Sequence, residues 1–130
     1  MSEIPGLVAD FADTLLNTLR NVPAATPLTC VQLYTGFPGA DGWDHRSALT
    51  RREAITFAVP RGGELFAASA PLYHITAPET LTHVGVWSGF EGDPAARYLW
   101  PAALVVPRVV ANGDRFSLMG CALRILGVVA

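Results

Sequence analysis

The fold class of this chain is decided by an alternating stretch at residues 81–88, which reads LTHVGVWS. Successive side chains of a β-strand point to opposite faces, so Val84 and Val86 would share one face while His83 and Trp87 share the other. The branched valine side chain also packs well on a half-buried pleated surface. The stretch therefore predicts a strand that places both valines in a core.

Similar apolar runs recur along the chain and are separated by turn signals rich in Gly, Pro and Asn. Their spacing of about 8–12 residues is typical of a β-sandwich or barrel. The sequence therefore predicts an all-β fold, a jelly-roll-like β-sandwich of seven to eight strands. We expect strands at 28–35, 52–59, 64–69, 72–76, 81–88, 97–106, 115–119 and 121–129.

One amphipathic segment precedes the strands. At residues 6–20, Leu7, Phe11 and further leucines recur at three- and four-residue steps with polar residues between them, which is the period of a helix with one apolar face. A chain of 130 residues has the length of one domain. We expect a single domain over residues 1–130, with an N-terminal α-helix at 6–20 and the sandwich at 28–130.

The core is expected to follow the alternating strands. In the 52–59 run, Ile55, Phe57 and Val59 would face one way and the residues between them the other. The last run is apolar nearly throughout, as in a strand that is covered on both faces. The expected buried residues are Ile55, Phe57, Val84, Val86 and Leu123.

The amino-acid composition and the charge of the chain argue against two classes of partner, membranes and nucleic acids. Of the residues, 51% are apolar and only 15% are charged, below the ~25% typical of soluble domains. No apolar run reaches the ~18 residues of a membrane span. The nine basic residues are all arginine, the net charge is −2, and no basic stripe marks a nucleic-acid binder. We expect neither membrane nor nucleic acid as a partner, and a mean hydropathy of +0.34 indicates a large core or apolar surface buried against other chains.

The two cysteines give no motif. Cys30 and Cys121 lie within apolar runs, and they have neither metal-ligand spacing nor the number that a disulfide framework needs. We interpret both as small buried hydrophobic residues, with a single bridge between them as the alternative.

The longest polar, glycine-rich stretch, residues 36–48, holds the first candidate chemistry. Asp41, Asp44 and His45 could bind a divalent cation, although their spacing does not match a calcium-binding loop. Alternatively, the acids cap turns and Trp43 packs the loop onto the sheet. We favour the second interpretation.

Histidines give the second candidate. His74 and His83 both lie in predicted strands, where a third ligand would complete a zinc site, but strand histidines are more often bonded to a neighbouring group. The chain has no nucleophile-elbow, P-loop or dinucleotide-binding motif. We therefore predict no catalytic residue, no cofactor and no metal.

Two prolines mark the 97–107 region as an edge strand or a bulge, because Pro101 and Pro107 have no amide hydrogen for the middle of a sheet. An apolar edge in water invites aggregation. We therefore expect another chain to cover at least one of two apolar segments, residues 98–106 and residues 125–129. The neighbouring arginines at 51 and 52 could meet an acidic patch on a partner. The expected interface residues are Tyr98, Leu99, Trp100, Arg51, Arg52 and Trp43.

Five short motifs carry a resemblance to a known group of proteins. They are ADTLLNTL at 12–19, LYTGFPG at 33–39, REAITF at 52–57, THVGVWS at 82–88 and VANGDRF at 110–116. Taken in this order, they resemble motifs of small β-sandwich virion proteins of tailed double-stranded DNA bacteriophages. Members of that group are capsid decoration, minor capsid, tail-fibre-like or minor tail proteins. Phe37 departs from the pattern, because the corresponding turn usually has Asp there.

The resemblance implies a non-enzymatic accessory role in the virion. We expect in the first place a capsid decoration or minor capsid protein on the assembled shell, and alternatively a minor tail or tail-fibre-associated protein. The implied partners are the major capsid protein or tail proteins of the same virion, together with further copies of the chain. A trimer is the favoured oligomer, and assembly would take place in the host cytoplasm.

An alternative from another class is a carbohydrate- or receptor-binding module. Exposed aromatic side chains can form a sugar-binding surface, although aromatic residues in strands more often belong to a core. A shallow groove lined by Trp43, Trp87 or Trp100 would favour this alternative.

Overall fold

The structure, a computed structural model, describes residues 7–22 and 28–118 and the backbone of residues 122–124. An α-helix, α1 (Ala9–Leu16), continues into a 3-10 helix (Asn17–Arg20). Within the described residues the strands are β1 (Cys30–Tyr34), β2 (Glu53–Ala54), β3 (Glu64–Phe66), β4 (Leu72–His74), β5 (Glu79–Trp87), β6 (Tyr98–Val110), β7 (Arg115–Ser117) and β8 (Ala122–Arg124). This confirms an all-β fold with one short N-terminal helix. No described helix has the length and apolar character needed to cross a membrane.

The strands form antiparallel sheets that pack face to face. The largest has the order β2-β1-β5-β6, while β3 pairs with β8 and β4 pairs with β7. The β4–β7 pair packs on the four-stranded sheet. The contact includes a hydrogen bond that the Tyr73 hydroxyl on β4 donates to the backbone oxygen of Val31 on β1. Tyr73 also packs on Phe116, with the ring centroids 6.4 Å apart. The result is the expected β-sandwich.

The register between β1 and β5 places the predicted core residues Val84 and Val86 at the centre of the large sheet, as expected. Val31 pairs with Val86 and Leu33 pairs with Val84 across β1 and β5. Cross-strand partners share a face, so these four side chains form one apolar layer, and all of them are buried. Ile55 is buried in the same cluster.

The prediction of a strand over 52–59 was wrong in length. β2 ends at Ala54, and Phe57 forms only an isolated bridge with Ala67. Phe57 is partly buried, and Val59, at 90% exposure, is outside the core. Alternation can assign faces only where a neighbouring strand continues the pairing, and here the pairing with β1 stops after two residues.

The predictions for the two ends of the chain concern the N-terminal helix and the last apolar run. The helix is shorter than the predicted 6–20 and has no fully buried residue. It is held by a hydrogen bond from the Val8 amide to the Leu99 oxygen (2.8 Å) and by Phe11, which stacks on Trp100. The side chain of Leu123, Cys121 and the stretch 125–129 lie outside the described residues.

β6 is an edge strand of the large sheet, as its prolines predicted. The pairs Val86–Trp100 and Trp87–Tyr98 leave Leu99 as an extra residue on β6. Such a bulge reverses the side-chain alternation. Trp100 therefore faces the main core with Val86, whereas Tyr98 lies on the opposite face of the sheet with Trp87.

Candidate functional site

Residues 36–46 form a compact loop over the outer face of the large sheet. Its base is closed by hydrogen bonds from the Thr35 amide to the His45 oxygen (2.8 Å) and from the Ser47 amide to the Leu33 oxygen (3.1 Å). The Ser47 hydroxyl also donates to the Glu79 carboxylate at the start of β5. A loop closed in this way behaves as a packed element of the fold rather than as a loose connection.

An aromatic cluster lies under this loop. The Tyr34 hydroxyl donates to the Gly42 oxygen (2.9 Å) and accepts a hydrogen bond from the Trp87 indole nitrogen (3.0 Å). Tyr98 packs on Trp87 with the ring centroids 5.2 Å apart. Burial raises the pKa of Tyr34 to about 12, and burial also raises the pKa of Tyr98 well above its usual range. The sheet thus has a second, smaller core on its outer face.

Arg52 belongs to this second core, which corrects its predicted place at an interface. Its guanidinium lies 3.9 Å from the centre of the Trp87 ring. It donates to the Gln32 side-chain oxygen (2.9 Å) and the Gly89 backbone oxygen (3.1 Å). Burial lowers the pKa of the guanidinium. Its neighbour Arg51 is exposed and pairs with a β2 carboxylate, so the two arginines do not form one basic patch.

Trp43 lies on the loop and is 52% exposed. It packs edge-on against Trp87 with the centroids 5.6 Å apart, and the guanidinium of Arg46 lies 4.7 Å from its ring centre. The Asp41 carboxylate accepts a hydrogen bond from the Trp43 amide (3.1 Å). These contacts confirm the interpretation that Asp41 caps a turn and that Trp43 packs the loop onto the sheet.

The other candidate ligands are dispersed. The His45 ring nitrogen lies 3.0 Å from the Phe37 oxygen. His74 is exposed and lies next to the buried Tyr73 on β4, so it faces away from the interior of the sandwich. His83 packs edge-on against Phe37 of the loop on the outer face of the large sheet, so the two histidines lie on different faces. Among the described residues, no three His, Cys, Asp or Glu side chains are placed to hold a metal ion.

Three predicted interface residues lie inside the chain's own fold. Tyr98, Leu99 and Trp100 are 7%, 3% and 3% exposed. Trp100 is enclosed by Phe11 and Phe57, whose ring centroids are 6.1 and 5.7 Å away. Trp100 is therefore a core residue of this chain and not the interface anchor that we expected. The bulge at Leu99 directs Trp100 into the main core and Tyr98 into the second core on the opposite face of the sheet.

The exposed part of β6 lies farther along the strand. The pairs Leu81–Arg108 and His83–Ala103 leave residues 104–107 opposite the single residue Thr82. We call residues 104–109 the valine segment, because Val105, Val106 and Val109 are all highly exposed there. The sequence indicated an apolar edge strand, but it did not show which half of the strand would be exposed.

A groove lies beside the helix, between α1, the loop at 40–41 and the turn at 93–97. Its volume is about 700 Å³. We call it the α1 groove. Trp87 is among its lining residues but is only 4% exposed, so it presents little aromatic surface to a ligand. Its polar lining residues include Asp10, Asp93 and Arg97. The sequence does not mark them as a site, because nothing in their spacing shows that the helix lies beside the distant turn.

Comparison with known proteins gives a match to a family model. A family model described as Podophage GP4 fiber I protein gp80 matches residues 8–125. The matched range covers α1 and all of the described strands. No curated protein matches the chain.

Proposed function

Because the chain belongs to the podophage GP4 fiber I protein gp80 family, we propose that it is a non-enzymatic structural component of a phage fibre. Family membership supports a phage virion protein. It favours the fibre-associated alternative over the capsid decoration role that we expected first.

The observation that supports an assembly role is the valine segment. Val105, Val106 and Val109 expose their side chains on an edge strand, and apolar edges left in water promote uncontrolled pairing. Val105 and Val106 belong to the four residues, 104–107, that lie opposite the single residue Thr82. They therefore project from the regular ladder of paired residues. We propose that a neighbouring chain of the particle covers this segment.

The neighbouring chain is a second copy in the simplest case, with a trimer as the favoured state. Closed rotational symmetry repeats one contact several times, and the repeated contacts give high avidity without a deep pocket. Other fibre or tail proteins of the same virion are the alternative partners, and assembly in the host cytoplasm belongs to the same proposal.

The test compares a double variant of the valine segment with one control variant at an exposed valine elsewhere. Val105→Ser combined with Val106→Ser removes the apolar projection, while Val59→Ser is the matched control in a loop. Light scattering coupled to size-exclusion chromatography should give an oligomer for the wild type and the control, and a monomer for the double variant. Far-UV circular dichroism should be the same for all three. We expect the loss of the two side chains to weaken association about tenfold or more, as is typical of an interface centre.

Two results would contradict this proposal. One is a wild-type protein that remains monomeric at high concentration and does not bind particles that lack it. The other is a double variant that assembles as the wild type does. Gold labelling of intact particles distinguishes the two virion roles, because label on the shell instead of the fibres would support capsid decoration.

A further inference from the structure

We propose that the α1 groove binds a carbohydrate. Its volume of about 700 Å³ lies within the range of small-molecule sites, roughly 300–1,000 Å³. The groove is separate from the valine segment, so the ligand proposed here and the assembly role can fail independently.

One wall of the groove offers a supported aromatic ring. Phe11 lines the groove and is only partly buried. Its inner side stacks on Trp100, with the ring planes 19° apart and the centroids 6.1 Å apart. The nearby hydrogen bond from Val8 to Leu99 fixes the start of the helix on β6. A ring that is held from behind in this way can pack its free side against the C–H face of a sugar.

The opposite side offers carboxylates that are already oriented. One oxygen of Asp41 accepts a hydrogen bond from the Trp43 amide (3.1 Å), and one oxygen of Asp93 accepts from the Ala95 amide (2.9 Å). In each carboxylate the second oxygen has further lone pairs for a ligand hydroxyl. Because the backbone fixes both groups, binding would lose little side-chain freedom.

The same groove also offers donors. The Ser88 hydroxyl accepts a hydrogen bond from the Arg97 amide (2.8 Å), which leaves its own hydrogen free to donate. Within the described chain, Arg97 forms no salt bridge. Sugar hydroxyls both donate and accept hydrogen bonds, so a lining that combines carboxylates, a hydroxyl and a guanidinium suits them.

A cationic ligand suits the groove less well. Three aspartates line it, but Arg97 lies among them and would repel a positive charge. In the described part of the structure the acidic groups are also too dispersed to form a metal-ligand set. The partly exposed Phe11 ring adds an apolar contact that a sugar ring can use and a small hydrated ion cannot.

The experiment uses the full chain. A glycan array identifies the sugar that binds most strongly, and isothermal titration calorimetry then measures its affinity. The test variant combines Asp41→Asn with Asp93→Asn, because an amide oxygen keeps each turn hydrogen bond and only the charge is lost. The matched control is Asp114→Asn, since Asp114 accepts a turn hydrogen bond from the Ala111 amide (2.8 Å) but does not line the groove.

We expect the double variant to bind about tenfold more weakly and the control to bind as the wild type does. Phe11→Leu should weaken binding about two- to tenfold, because it removes the stacking ring but keeps an apolar side chain. Thermal unfolding should show that both aspartate variants remain folded. The proposal is overturned if no array glycan binds saturably, if the Asp114 variant loses as much affinity as the double variant, or if an arginine-rich peptide binds the groove and no glycan does.

Discussion

Replacing Trp100 with alanine separates a core role from an interface role. The side chain is 3% exposed and lies between the rings of Phe11 and Phe57. A buried tryptophan of up to about 250 Å² at ~25 cal/mol per Å² gives roughly 6 kcal/mol as an upper limit. A compact unfolded state reduces this value to about 4–5 kcal/mol. The buried indole nitrogen has no hydrogen-bond partner among the described residues, so its removal returns about 1 kcal/mol.

We therefore expect Trp100→Ala to lower the free energy of unfolding by about 3–4 kcal/mol, in line with other large-to-small core substitutions. Guanidinium denaturation followed by far-UV circular dichroism measures this change. Trp100→Phe keeps a ring and removes the unpaired N–H, so it should stay within about 1–2 kcal/mol of the wild type. Trp43→Ala, at a half-exposed position, should cost about 1–2 kcal/mol. If Trp100→Ala left stability within 1 kcal/mol of the wild type but abolished oligomers, the core assignment would be wrong.

Two further predictions concern the second core. Gly42 has φ +80°, and a Cβ there would lie 2.8 Å from both Trp87 and Tyr98, so Gly42→Ala should destabilise the chain by about 2–4 kcal/mol. Gly113 has φ +93°, but a Cβ there would meet no atom of the described residues within 4 Å. Gly113→Ala should therefore cost only about 1–2 kcal/mol in the same denaturation assay. The pKa of Tyr34 is about 12 in the folded chain, against 10.0 in its unperturbed state. Below pH 10 this group should therefore leave the free energy of unfolding unchanged. Between pH 10 and 12 the free energy of unfolding should fall by about 2–3 kcal/mol, because the unfolded chain loses a proton that the folded chain keeps. Tyr34→Phe should make that fall about 2–3 kcal/mol smaller and leave the part due to Tyr98, whose pKa burial also raises, and an equally steep decline in the variant would disprove the assignment.

Strand periodicity predicted the parts of the fold in which pairing is regular. Val84 and Val86 alternate with other residues in β5, which pairs with a strand on each side, and both valines are buried as the alternation predicted. Val59 shows the same alternation, but none of the described strands continues the pairing there, and the side chain is exposed. Hydrophobic alternation therefore identifies a face only after the partner strand is known.

The candidate site was harder to predict, since it depends on irregular positions. Nothing in the sequence marks Leu99 as the bulged residue, although that one position decides where Tyr98 and Trp100 point. Arg52 looks like half of a basic pair, but the fold places it on the ring of Trp87. Charge and hydropathy describe a residue's average preference, whereas a buried cation depends on partners that are distant in sequence.

β6 combines two roles that usually conflict in a small protein. Its first half holds Leu99 and Trp100 in the main core and Tyr98 in the second core, so this half contributes to stability. Its second half leaves the regular ladder in the valine segment, and a substitution there removes little buried surface from the isolated chain. An edge strand that was apolar and regular along its whole length would invite pairing at any register. Because residues 104–107 lie opposite the single residue Thr82 and interrupt the ladder, they limit such pairing and leave a short, defined projection, which is the surface that we propose a neighbouring chain covers.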